Sequence, residues 1–339
     1  MDSSRAAGVA ADDLKLVVSA AVRAPSVHNT QPWRFVARRN NAGGIAGLEV
    51  FPDPSRALGV IDPLGRELHL SCGAAIEFAR VAVRGLGMAC RVTECTSDDQ
   101  DLLAYIEIGD NEPATPDETA LSRALESRYT ERERFDDRTV PAETVDSLRL
   151  AAESVGAWLR VLDQVEDRIM AATLLAHADE LERNNPEYAQ ELAAWSRSEE
   201  GADDGIPPSA LPSSPVTTRA SSFALRDFDV SDHPRQAPDG DNPPPAERPL
   251  VMVIGTEDDG RHGWIQAGRA LGAVLLRADA EGVAASPMTQ VLEVPSTRAM
   301  LARQLGVLGH PQMLLRIGYH TGPRPPRTPR RPVDDVLTI

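Results

Sequence analysis

The sequence predicts an α+β chain made of two fused half-copies, and three observations lead there. The 339 residues exceed the size at which one hydrophobic core keeps growing, and an apolar share of 42% is ample for two. Stretches of helical and of strand spacing follow one another along the chain. A segment also recurs. Leu70-Ser-Cys-Gly73-Ala-Ala75-Ile76 and Gly87-Met-Ala89 match Ile265-Gln-Ala-Gly268-Arg-Ala270-Leu271 and Gly282-Val-Ala284 at one constant offset of 195, without a gap. The strand ends Ile108-Gly109 and Ile317-Gly318 follow in the same order, as a repeated half-domain requires.

The elements follow in order. Residues 12 to 23 carry apolar positions at helical spacing and stop before Pro25, which disfavours helix in the residue ahead of it. Trp33 to Arg38 and Gly47 to Phe51 read as strands, and the Ala-rich stretch Gly65 to Gly85 as a buried helix closed by glycine. Strands are expected near Cys90 to Thr93 and Leu103 to Ile108. A helix around Glu118 to Ser127 comes next, then one from Pro141, whose ring suits a first helical turn. Val161 marks a strand, and two polar-faced helices run over 165 to 197. Leu250 to Gly255, Trp264 to Ala280 and Met313 to Ile317 read as strand, helix and strand. Small residues on the two repeated helices would let them pack closely.

Between 198 and 249 the composition turns to Pro, Ser, Asp and Gly, with ten prolines. A disordered linker and an ordered lid are both open here, and Phe223, Leu225 and Phe228 favour the lid because a free linker does not need them. The chain therefore divides into a first half, 1–120, a second half, 121–197 with 250–339, and a lid, 198–249.

Charge narrows the function. A formal net charge of -16 argues against a general nucleic-acid or anionic-membrane surface, so an anionic ligand must meet a local basic cluster. Two exist: Arg128 with Arg132 and Arg134, and a tail with Arg324, Arg327, Arg330 and Arg331. Lys15 is the only lysine, which removes the phosphate-loop NTPases, pyridoxal Schiff bases and Tyr-x-x-x-Lys dehydrogenases. Cys72, Cys90 and Cys95 form no C-x-x-C pair, and the seven histidines show no paired ligand spacing, so no metal is expected. Without a signal peptide or a run of about 18 apolar residues, the expected location is the cytoplasm.

The most informative segment is Ala24-Pro25-Ser26-Val27-His28-Asn29-Thr30-Gln31-Pro32-Trp33-Arg34-Phe35, set between a helix and a strand. Short Ser and Asn side chains and turn amides suit the polar edge of a planar ligand, and Trp33 offers an apolar wall. The same residues could instead cap a turn and fill a core. Arg128-Tyr-Thr130-Glu-Arg132-Glu-Arg134-Phe135, with its interleaved acids, reads either as an anion site or as a solvated ion-paired face.

The 24–35 segment resembles the flavin-contacting stretch of the nitroreductases that depend on flavin mononucleotide (FMN). Residues 128–135 resemble that family's Arg-Arg-Ser-x-Arg-x-Phe opening, and Pro329-Arg330-Arg331-Pro332-Val333-Asp-Asp-Val-Leu337 is similar to its closing motif. The chain looks most like the Acg branch found in mycobacteria and relatives. The resemblance implies a nitroreductase-like fold with central, mainly antiparallel sheets flanked by helices, arranged as a single-chain pseudo-dimer. In the family each subunit opens with the Arg motif, continues into Asn-x-Gln-Pro-Trp and closes with the Arg tail, and each flavin is shared across the subunit interface. Here the first half has the second element only, and the second half has Ala152-Glu-Ser-Val-Gly156-Ala-Trp158 where that element should follow. One composite site survives, which implies one FMN per chain and function as a monomer.

The resemblance assigns the FMN phosphate to Arg128, Arg132 and Arg330 with the hydroxyl of Thr130, which stands where the family has Ser, and counts Arg331 among the cofactor-binding residues. It places Ser26, His28, Asn29 and Gln31 from the first half near the ring, with Met288, Thr289 and Gln290 from the turn after Pro287. It implies hydride uptake from NADH or NADPH and reduction of a nitro compound, quinone or similar small acceptor. The alternative is a protein that sequesters FMN beneath a lid formed by 198–249; a flavin-free scaffold is a third reading.

Overall fold

The computed structural model describes residues 8–95, 101–198, 201–208, 223, 247, 249–322, 324 and 327–339. Helix α1 (Ala11–Ala21) buries Leu14, Val17, Val18 and Ala21, an i, i+3, i+4, i+7 stripe. Strands β1 (Trp33–Arg39) and β2 (Ile45–Pro52), helix α2 (Arg66–Gly85) and strands β3 (Met88–Glu94) and β4 (Ala104–Asn111) follow. Helix α3 (Pro116–Ser127) opens with a capping box, in which Thr115 Oγ1 accepts from the Glu118 N–H and Glu118 Oε2 accepts from the Thr115 N–H.

The second half runs through α4 (Ala142–Glu153), β5 (Trp158–Val161), α5 (Val165–Arg183), α6 (Pro186–Trp195), β6 (Leu250–Thr256) and α7 (Arg261–Ala280). It continues with β7 (Ala284–Met288), α8 (Gln290–Glu293), α9 (Pro295–Leu305) and β8 (His310–Gly318), and the tail ends in α10 (Val333–Val336) and β9 (Leu337–Thr338). Two sheets result, β3-β4-β2-β1-β9 and β5-β6-β8-β7. Each half orders its own four antiparallel strands identically, the first beside the second, the second beside the fourth and the fourth beside the third. β9 breaks the likeness: it pairs parallel to β1, Phe35 opposite Leu337 and Val36 opposite Thr338, so the tail of the second half edges the first sheet.

The repeated helices face each other. A Cβ at Gly73 would lie 2.2 Å from the Ile265 carbonyl oxygen, and one at Gly268 would lie 2.0 Å from that of Leu70. These two glycines, 195 positions apart, therefore let α2 and α7 pack backbone to backbone between the sheets. Two cores flank this contact, one around Trp33, Phe35, Phe78 and Ile106 that also takes in Ile265 and Leu276 of α7, the other around Leu148, Met252, Leu271 and Leu315 that takes in Leu70 of α2.

Four parts of the second half escaped the sequence pattern. β7 contains Pro287, which argues against a central strand; the structure accommodates it on the sheet edge, where no ladder donor is required. α8 and α9 are too short and too weakly amphipathic to stand out, and α10 with β9 is defined only by docking on the first half. Pro141 caps α4 from outside rather than entering its first turn.

Of the lid, residues 198, 201–208, 223, 247 and 249 are described; Leu225 and Phe228 lie outside the described residues. Phe223 is fully buried in a core with Leu174, Val253 and Leu314. Beside it Glu247 Oε1 accepts from Arg316 Nη1 at 2.7 Å in a completely buried ion pair, and Arg316 Nη1 also donates to the Phe223 carbonyl at 3.2 Å. At the other end Ile206 packs with Leu58, Ile61, Tyr188 and Leu192.

Candidate functional site

The chain between α1 and β1 is held in a conformation that side chains resist. His28, Asn29 and Gln31 all have positive φ, 49°, 54° and 50°. Such strain persists only where surrounding bonds over-determine it, and here they do. Ser26 Oγ accepts from the Gln31 N–H at 3.0 Å. Asn29 Nδ2 donates to the Gly205 and Pro329 carbonyls at 3.0 and 3.2 Å, and the Gly205 N–H returns a bond to the Asn29 carbonyl at 3.3 Å. Gln31 Nε2 donates to the Asp203 carbonyl at 2.7 Å while its Oε1 accepts from the Arg331 N–H at 2.9 Å.

Two cavities meet beside this loop. The first, of about 130 Å³, lies between Pro25–His28 and the two central helices, which contribute Glu67, Leu70 and Ser71 from α2 and Leu271 from α7. Ser286 and Pro287 of β7, Thr289 and Gln290 after it, Met313, Thr130 and Arg132 close it. The second, of about 380 Å³, is lined by Arg23, Arg128, Arg132, Arg330 and Arg331, with Thr130, Tyr129 and Arg327. Thr130 and Arg132 line both cavities, which places an arginine-rich pocket at the end of a mostly apolar slot. They reach this position because residue 130 pairs with Ala285 beside β7, and the Glu131 N–H donates to the Ala285 carbonyl at 3.0 Å.

The arginines bury donors that the described residues do not match. Arg128 Nη2 donates to the Arg23 carbonyl at 2.9 Å, and its guanidinium lies 5.6 Å from the Phe78 ring centroid. Yet Arg128 Nε and Nη1, Arg330 Nε and Arg23 Nη1 are buried without a hydrogen-bond partner among the described residues. Burial pushes Arg128 and Arg132 down to about 10, and Arg330 down to about 9 through burial and then repulsion from Arg128, Arg132 and Arg23. The Arg128 and Arg330 cations are thus destabilised by burial and by neighbouring cations, and an anion would relieve this. Arg331 differs: its Nη1 lies 3.6 Å from Asp53 Oδ2 and donates to the Gln31 carbonyl at 3.2 Å.

Ser26, His28, Thr130, Arg132, Thr289 and Gln290 therefore come together in the first cavity, and Arg128, Arg330 and Arg331 join Thr130 and Arg132 in the second. Asn29 and Gln31 do not line either; they bind the loop to 203–205 and to the tail. The Met288 side chain belongs to the core with Val291 and Leu314, and Trp33 is fully buried core, so part of the capping reading of this segment holds. Arg23, Glu67, Ser71 and Ser286 were missed. Glu67, Leu70 and Ser71 form an i, i+3, i+4 face of α2, a signal present in the sequence, whereas Ser286 was hidden with the unrecognised strand β7.

The model of the Nitroreductase family matches residues 125–319. "Putative NAD(P)H nitroreductase Rv3131" of Mycobacterium tuberculosis is 35% identical over 337 residues, covering 96% of this chain and 91% of that protein. The chain belongs to the nitroreductase family. "Putative NAD(P)H nitroreductase acg" of the same organism is 31% identical over 335 residues, covering 98% and 97% of the two chains. Among solved structures, the FMN-dependent nitroreductase NfnB from Mycobacterium smegmatis in complex with NADPH aligns at 17% identity and a TM-score of 0.39, over 65% of this chain and 97% of that one. The nitroreductase match begins just before Arg128, so it takes in the arginine segment and β7 but not the loop at 24–32. Among the described residues no helix is long and apolar enough to cross a membrane.

Proposed function

We propose that this nitroreductase-family chain binds one FMN in the paired cavities and passes electrons from NADH or NADPH to small nitro compounds, quinones or similar acceptors. The observation that carries the reading is the set of buried guanidinium nitrogens of Arg23, Arg128 and Arg330 without partners among the described residues, at the end of a slot with few charges. Planar guanidinium groups bind phosphate oxygens bidentately, and a phosphate monoester supplies nearly two negative charges. Arg128, Arg132 and Arg330 with Thr130 would hold that phosphate. Ser26, His28, Ser286, Thr289 and Gln290 would meet the ring, and the Ser286 hydroxyl is likewise buried and unpartnered among the described residues. When bound, the flavin supplies the hydride chemistry; the chain's share is to orient it and limit water.

The halves cooperate as two subunits would: 1–120 gives the strained loop and α2, while 121–197 with 250–339 gives the arginine segment, β7 and the tail. Because the tail returns to the first sheet within the same chain, the reading needs no second copy. Mixing the yellow protein anaerobically with NADH or NADPH should bleach its visible flavin band rapidly. A colourless protein that fails to take up FMN overturns the reading.

Sequestration is favoured by a separate observation, the seating of 203–206 on the loop. Asp204 Oδ1 accepts from Arg197 Nη2 at 2.7 Å, and its other oxygen pairs with Arg56 Nη2, so this segment is clamped from two sides. A bound flavin that stays oxidised in the wild type but is reduced quickly in Asp204→Ala would select this second reading.

A further inference from the structure

The loop beside the slot and the tail beside the arginine pocket are bonded to each other at both ends of the loop. At its far end, Asn29 Nδ2 donates to the Pro329 carbonyl at 3.2 Å, and the Arg331 N–H donates to Gln31 Oε1 at 2.9 Å. Between these two anchors stands Arg330, which lines the pocket and whose Nη1 donates to the same Pro329 carbonyl at 3.0 Å. At the near end the Arg23 carbonyl accepts from Arg128 Nη2 at 2.9 Å and from Arg330 Nη2 at 3.5 Å, and the Ala24 carbonyl accepts from Arg330 Nη2 at 3.5 Å. Ser26 and His28, which line the slot, are therefore held from either side by residues that line the other cavity. Asn29 and Gln31 line neither cavity, and Gln31 is fully buried.

We propose that Asn29 and Gln31 are positioning residues that couple the two cavities, so that a phosphate group in the arginine pocket sets the 26–31 loop for the flavin ring. The inference rests on the FMN reading above. His28, Asn29 and Gln31 hold positive φ, a conformation that lasts only while surrounding bonds over-determine it. One set of those bonds runs to 203–205, and the other runs to the tail on either side of Arg330. Burial, and then repulsion from Arg128, Arg132 and Arg23, works against the Arg330 cation. A phosphate dianion offsets that repulsion and draws Arg128 and Arg330 to one point. It thereby steadies the partners of the residue 23 and 24 carbonyls and the tail anchors of Asn29 and Gln31. The phosphate end of the ligand thus prepares the site for its ring end, and by linkage the ring must favour phosphate binding by the same factor.

The two ends of the ligand can be offered separately. Lumiflavin, the ring without its ribityl phosphate, and inorganic phosphate are titrated into the full-length protein freed of flavin, at constant ionic strength. Inorganic phosphate should weaken FMN binding by competition yet tighten lumiflavin binding about tenfold, and lumiflavin should tighten phosphate binding equally. Asn29→Gly and Gln31→Gly accept the positive φ but lack the anchoring side chains. In both, the factor should fall toward one while phosphate still competes with FMN. A purely structural role would weaken lumiflavin equally with and without phosphate and leave the factor at its wild-type value, which overturns the proposal. Wild type alone decides if these variants do not fold: phosphate that displaces FMN but leaves lumiflavin affinity unchanged, or lumiflavin that does not bind even with phosphate, overturns the coupling and spares the FMN reading. A protein that takes up no FMN, or from which phosphate does not displace it, overturns the FMN reading or its phosphate assignment together with the coupling.

Discussion

Replacing Arg128 and Arg330 together by alanine should have two opposite effects. In the holoprotein it removes two charged donors to the FMN phosphate. Each such hydrogen bond is worth about 1.5–3 kcal/mol, so the pair contributes about 3–6 kcal/mol and the dissociation constant should rise about 100- to 10,000-fold. In the apoprotein it removes three buried guanidinium nitrogens that lack partners among the described residues, and two cations that burial has already weakened. Unpaired buried groups of this kind cost about 1–3 kcal/mol each, against which stands the lost packing of the Arg128 stem on Phe78. The double variant should therefore be colourless yet at least as stable as wild-type apoprotein. Flavin fluorescence titration and apoprotein thermal denaturation read the two quantities. A variant that keeps FMN at wild-type affinity refutes the phosphate assignment. One that loses FMN only by unfolding at a lower temperature shows that these arginines are structural.

The remaining predictions concern the frame. Gly73→Ala places a methyl group against the Ile265 carbonyl and should cost about 1–3 kcal/mol through overpacking, seen as a lower urea midpoint. Arg316→Met alone leaves Glu247 buried without its cation and should cost about 3–5 kcal/mol; adding Glu247→Leu should recover much of it. The bidentate bond from Arg84 holds Glu118 down at about 2, below its ordinary 4.5, so its contribution is full above pH 4.5 and is lost as pH falls toward 2. Glu118→Gln should thus be less stable than wild type at pH 7, by about 1–2 kcal/mol after allowance for solvent screening, and equal to it near pH 2.

The first half was legible because its elements carry local signals: the α1 stripe, the strands around Trp33 and Leu48, and the long α2 closed by glycine. The second half hid where tertiary context decides. Pro287 masks an edge strand, and Leu337 becomes a strand only by pairing with Phe35, about 300 residues away. The site divides in the same way. The arginines announce themselves by composition, whereas the division of labour within 24–32 does not. Which of Ser26, His28, Asn29 and Gln31 lines the slot depends on three residues with positive φ, and no spacing rule sets these.

The two halves also differ where a second site would need matching residues. At the offset that relates α2 to α7, Glu67 and Ser71 correspond to His262 and Gln266, and Ser286 and Thr289 correspond to Arg91 and Glu94. The hydroxyl groups that shape the slot thus correspond to larger side chains on the other side, and Ser286 and Thr289 to charged ones. There Arg269 Nη2 pairs with Glu77 Oε2 at 3.2 Å and Arg269 Nη1 with Glu94, while His262 Nε2 lies 3.2 Å from Glu94 Oε2. The acids and bases satisfy each other, in contrast to the buried arginine nitrogens around the slot. A polar cluster whose charges are already matched gains little from a ligand, and one whose cations repel gains much. The single parallel strand β9 adds to the same asymmetry, since it brings Arg330 and Arg331 to one side only. The proposal of one flavin per chain therefore follows from where charge has been left unmatched, independently of the motif order in the sequence.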